Sequence, residues 1–147
     1  MTDPDRNELD AVRAAFNEIA ADYLGRVDDL PALNYDAARE ALAGFQRSLP
    51  SEGIGAEAAL RELYENGLPA TGTTSGPRFF HWVVGGSTPA AMGADWLTSL
   101  LDNPSYAWVG SPLTVELEIL SLEWLKDLFG LHEDMTGVMV TGASMAN

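Results

Sequence analysis

The stretch Val138–Asn147, VMVTGASMAN, decides the reading of this chain. Val138, Met139 and Val140 form a short apolar run, a strand candidate that feeds directly into Thr141-Gly142-Ala143-Ser144. Small residues at a strand-to-helix turn let backbone N–H groups approach an anion, and a helix start adds partial positive charge. A serine hydroxyl there can donate as well. Such a turn is also what any αβ connection requires, so the motif alone does not establish a phosphate site.

Upstream, the spacing predicts helices. Ser111-Pro112 reads as N-cap and first helical residue of a long helix with an apolar face of Leu113, Leu117, Leu120, Trp124 and Leu128, closed by Gly130. Glu116, Glu118, Glu123 and Asp127 are assigned to its solvated side. Thr88-Pro89 gives the same start signal for a helix carrying Met92, Trp96 and Leu100, which Asn103-Pro104 ends. Before it, FFHWVV (Phe79–Val84) is a second strand candidate by its aromatic and β-branched content, stopped by Gly85 and Gly86. PATGTTSGP, starting at Pro69, is a loop, and three helical patterns precede it. The first carries Leu9, Val12, Phe16, Ile19 and Tyr23 and stops near Gly25. The second runs Ala38, Leu42, Phe45, Leu49, with Asn34 or Asp36 as N-cap. The third carries Leu60, Leu63 and Tyr64 and ends at Gly67.

Composition removes several function classes. The 147 residues carry 22 acidic and 8 basic side chains, a formal net charge of −14, which repels nucleic acid and anionic lipid surfaces. No apolar run approaches the ~20 residues of a membrane span, and the acidic start MTDPDRNELD lacks a secretory h-region. With no cysteine there is no disulfide, thiolate metal site or cysteine nucleophile. His81 and His132 are too far apart to suggest a local metal pair, and both read as ordinary histidines. Among the tryptophans, Trp96 and Trp124 read as core, while Trp82 and Trp108 stay open. No nucleophile stands beside a base, so no catalytic residue is assigned; with no cysteine, secretory signal or membrane span in the sequence, the location expected is cytoplasmic.

Three segments, GPRFFHWVVGGSTPAA, SPLTVELEILSLEWLKDLFGL and VMVTGASMAN, resemble in content and order the group II pyridoxal-phosphate-dependent decarboxylases, the family of aromatic amino-acid and glutamate decarboxylases. The likeness is close over 76–147 and looser over 1–75. It implies a mostly α N-terminal fragment of an α/β pyridoxal-phosphate-dependent transferase fold (fold type I), interrupted at the first strand-turn-helix of the large domain. Residues 1–75 would be a helical dimer-swapping extension, and 76–147 the start of the cofactor-binding domain. Pyridoxal 5'-phosphate is the implied cofactor, with Gly142, Ala143 and Ser144 at its phosphate. His81, Trp82 and Val83 would line the substrate side, and Tyr106 would reach a neighbouring subunit's site in a homodimer. The implied reaction removes the α-carboxylate of a small-molecule amino-acid substrate. The family's covalent lysine, ring-stacking histidine and nitrogen-pairing aspartate follow the phosphate turn. Lys126, the only lysine, does not match that motif and reads as an exposed charge near a helix end, so these residues alone are expected to be inactive. An aminotransferase or other lyase of the same fold, or a non-enzymatic helical dimerisation module, are the alternatives.

Overall fold

The computed structural model describes residues 2–45 and 48–147. Six α-helices occur among them: α1 (Asp3–Arg26), α2 (Tyr35–Phe45), α3 (Ala56–Gly67), α4 (Pro89–Leu101), α5 (Pro112–Phe129) and the single turn α6 (Ala143–Ala146), with a 3-10 turn at Leu68–Ala70. The chain divides into two compact units, Met1–Ser87 and Thr88–Asn147.

In the first unit, α1 starts with a reciprocal cap. Thr2 Oγ1 accepts the Asp5 N–H at 3.5 Å and Asp5 Oδ2 accepts the Thr2 N–H at 2.8 Å. That hydrogen bond from the Thr2 backbone holds the Asp5 carboxyl below the usual range. α2 begins where Asn34 Oδ1 accepts the N–H groups of Asp36 and Ala37, so Asn34 rather than Asp36 is its cap. The continuation of α2 expected toward Leu49 runs through positions 46 and 47, which lie outside the described residues, and Ser48–Pro50 is not helical.

α1 packs on α3, and α2 packs on α3 and the 3-10 turn. Three side chains along α1 reach α3 in ascending order, so the two helices run in the same direction. Glu8 Oε1 accepts the Ala56 N–H at 2.9 Å, Glu18 Oε2 accepts from Arg61 Nη2 at 2.8 Å, and Asp22 Oδ2 accepts from the Tyr64 hydroxyl at 2.6 Å. Burial, then the Asp22 carboxylate, pushes the Tyr64 hydroxyl up to about 12. The loop after α3 folds back on the end of α1. Buried Thr73 donates its hydroxyl to Pro31 O at 2.8 Å and its N–H to Ala32 O at 3.0 Å. Gly76 sits so close that a Cβ would meet Thr73 Cγ2 at 2.8 Å and Val27 O at 3.1 Å.

Neither strand candidate is a strand; no strand occurs among the described residues. Phe79–Val84 instead makes a turn in which Val84 N–H points to His81 O at 3.5 Å, with Trp82 at φ 63° and Val83 at φ 53°. Val138–Val140 is irregular. β-propensity reflects fit against a neighbouring strand, and neither run has one to pair with here.

In the second unit, Thr88 caps α4 by accepting the Ala91 N–H at 3.2 Å, and Asp102 closes it at φ 47°. α5 starts at Pro112 and ends at Gly130, φ 62°, as the spacing predicts; Ser111 occupies the cap position, but its hydroxyl makes no cap bond. The face expected to be core is the correction. Leu113, Leu117, Leu120, Trp124 and Leu128 are all exposed, Trp124 by 63% and Leu128 by 75%. The half-buried side is Thr114, Val115, Glu118, Ser121, Leu122, Leu125 and Lys126. α4 and α5 do not pack on each other, and Ser111 is the one buried residue of this unit among the described residues.

Candidate functional site

The candidate anion turn is built from residues that commit the backbone locally. Gly142 takes φ 102°, ψ 166°, a conformation open to glycine and strained for any residue with a Cβ. Its N–H bonds back to Val140 O at 2.9 Å and its carbonyl accepts the Met145 N–H at 3.0 Å, which closes the turn. Ala143 and Ser144 then open α6, where the first N–H groups of a helix have no acceptor within it. All three residues are exposed. Two amides, a hydroxyl and the absence of bulk fit the phosphate of pyridoxal phosphate.

The residues expected on the substrate side are placed as follows. His81, Trp82 and Val83 belong to the first unit, and Tyr106 with the Gly142–Ser144 turn to the second. The His81 ring meets Phe79 edge-on, centroids 5.6 Å apart at 84°, while Trp82 is 86% exposed and Val83 fully so. Two consecutive positive φ angles at residues with Cβ atoms, one of them β-branched, strain this turn by about 1–3 kcal/mol each. Tyr106 is exposed on a loop that is itself well held. Trp108 Nε1–H donates to Glu116 Oε1 at 2.9 Å, the N–H groups of Gly110 and Ser111 both reach Ala107 O, and Thr114 donates its hydroxyl to Ser111 O at 3.1 Å.

Three residues read as bystanders prove to be tied. Glu116 and Glu118 are not merely solvated: the first holds Trp108, and the second accepts the Met139 N–H at 3.3 Å. Lys126 is not an exposed charge. Its side chain is 15% accessible, and Nζ donates to Glu123 Oε1 at 3.1 Å and to Glu133 O at 3.0 Å, with Glu123 Oε2 in ion-pair contact at 2.9 Å. One carboxylate and one carbonyl thus hold the ammonium. The chain therefore fits the phosphate end of the cofactor, and its single lysine is committed elsewhere. His132 is exposed, and no cluster of three metal-ligating side chains occurs among the described residues. No helix among them is long and apolar enough to cross a membrane. The signal missed in the sequence was the i, i+4 series Glu118, Leu122, Lys126, overlooked beside the more apolar face of the same helix.

Residues 41–147 match the family described as the pyridoxal-dependent decarboxylase conserved domain. The chain is similar to Tryptophan decarboxylase 1 of Oryza sativa subsp. japonica, 24% identical over 114 residues that make up 78% of this chain and 22% of that protein. It is similar to an aromatic-L-amino-acid decarboxylase of Bacillus atrophaeus, 28% identical over 100 residues, 68% of this chain and 21% of that one. A third relative, Phenylacetaldehyde synthase of Arabidopsis thaliana, is 26% identical over 116 residues, 79% of this chain and 24% of that protein. The chain thus spans about a fifth to a quarter of the length of these curated relatives. No solved structure matches it.

Proposed function

Because the chain belongs to the pyridoxal-dependent decarboxylase family, we propose that it supplies part of an enzyme that removes the α-carboxylate of an aromatic L-amino acid. The carrying observation is the family match over 41–147, which runs into the Gly142–Ser144 turn. Family membership implies pyridoxal 5'-phosphate. When bound, that cofactor accepts the electron pair left by the departing carboxylate. The chain's own residues have narrower tasks. The Ala143 and Ser144 amides and the Ser144 hydroxyl hold the phosphate, and Gly142 lets the backbone come close. His81, Trp82 and Val83 line the substrate side, where exposed rings can stack on an aromatic side chain, and Tyr106 reaches a neighbouring subunit's site. The enzyme works as a homodimer in the cytoplasm, with 1–75 as a helical extension and 76–147 as the start of a fold type I cofactor-binding domain. The open apolar faces of α4 and α5 give such an assembly surface to bury.

Incubating the full polypeptide with pyridoxal phosphate and tryptophan, tyrosine or phenylalanine tests this. Carbon dioxide and the matching amine in equal amounts are expected; a keto acid with no carbon dioxide would overturn it in favour of transamination. One relative is named for an aldehyde product, so a second reading has dioxygen and water consumed and carbon dioxide, ammonia, hydrogen peroxide and an aldehyde released in place of the amine. The same product analysis separates the two.

A further inference from the structure

The segment that leads to the phosphate turn is laid along α5 by three contacts in register. Lys126 Nζ donates to Glu133 O at 3.0 Å. One turn of helix earlier, Leu122 Cδ2 lies 3.1 Å from where a Cβ on Gly137 would stand. One turn earlier again, Glu118 Oε1 accepts the Met139 N–H at 3.3 Å. The helix positions descend by four as the segment ascends, so residues 133–139 run back antiparallel along one side of α5. In a sheet the Met139 N–H would go to a neighbouring strand; here a carboxylate takes it. This side of α5 is half-buried while its more apolar side is open, so the helix is spent on holding this segment. Val140 and the turn follow Met139 without a break, and Val140 O accepts the Gly142 N–H at 2.9 Å. Whatever fixes Met139 therefore fixes the approach to Gly142.

We propose that Glu118, Leu122 and Lys126 are positioning residues: through 133–140 they set where the Gly142–Ser144 turn stands, and so how well it takes a phosphate. This gives the single lysine a task other than bonding the cofactor. It rests on the phosphate reading given under the proposed function, and the experiment keeps the two apart.

The probes are pyridoxal 5'-phosphate and pyridoxal, which differ in the phosphate alone, titrated against the protein and its Glu118→Ala, Glu118→Gln and Lys126→Met variants. Amide exchange at Met139 is measured in parallel, and each variant must keep the parent's helical circular dichroism. A hydrogen bond to a charged group governs the contact, so Glu118→Ala is expected to lower the preference for the phosphate form about tenfold. It should also speed Met139 exchange. Glu118→Gln keeps an acceptor oxygen and should stay within about twofold of the parent. Lys126→Met keeps the apolar stem, loses the bond to Glu133 O, and should fall between the two. An undiminished preference in Glu118→Ala and Lys126→Met, with Met139 exchanging faster, overturns the positioning role and leaves the phosphate reading standing. An unsubstituted protein with no preference for the phosphate form overturns the phosphate reading, and the positioning role with it.

Discussion

The two units solve the same packing problem in different ways. In Met1–Ser87, helix α3 is bound to α1 by side chains more than forty positions away, and the following loop is buttoned to Pro31 and Ala32. In Thr88–Asn147 the side chains of α5 reach instead to its own flanks, to Trp108 on one side and to 133–139 on the other. Its leucine-rich face is exposed. The lesson is that the stronger hydrophobic stripe is not always the one a segment uses internally: α5 spends its mixed face on local order and leaves the apolar face for a surface outside the unit.

The contrast makes the first unit sensitive to small changes. The largest loss is expected for Gly76→Val, because the new side chain meets the Val27 carbonyl and Thr73, neither of which can withdraw. Overpacking of this kind costs about 2 kcal/mol, read as a lower denaturant midpoint at unchanged slope. Thr73→Val keeps the volume but leaves Pro31 O without its donor, for about 1 kcal/mol in the same measurement.

Smaller still is the alkaline effect of Tyr64. Its pKa is raised on folding, from about 10 to about 12, so its stabilisation is fully present below the unfolded value and is lost as pH rises through 10 toward 12. Above that range a phenolate would face the Asp22 carboxylate. Melting followed from pH 9 to 12 should fall less steeply for Tyr64→Phe than for the parent. Leu117→Ser, on the open face of α5, should shift stability by no more than about 0.5 kcal/mol while lowering the binding of an apolar dye. A cost of several kcal/mol there would mean the face is packed after all.

Most helices were legible because caps and stops are local. Thr88-Pro89 and Gly130 mark ends that the structure places where the residues predict, and the Leu60, Leu63, Tyr64 pattern ends at Gly67. The strands were misread because a run such as FFHWVV scores as strand on composition, while strand formation depends on a partner that no local pattern encodes. The choice between faces of α5 failed for the same reason: hydrophobicity identified which side prefers burial, and the chain's own flanks decided which side is covered. At the candidate site, Gly142, Ala143 and Ser144 were legible as a turn from residue size alone, while the phosphate role proposed for them came from the resemblance. The ties of Glu118 and Lys126 were not, since both depend on where a following segment is laid down.

Residue-resolved amide exchange tests this contrast most directly. The account predicts that the central amides of α1 and α3 exchange slowest, near the rate of global unfolding, while those of α4 and the Leu120–Trp124 stretch of α5 exchange well before them. Equal protection in α4, α5 and α1 would contradict it, because it would mean the leucine-rich face of α5 is already buried in the protein as it stands.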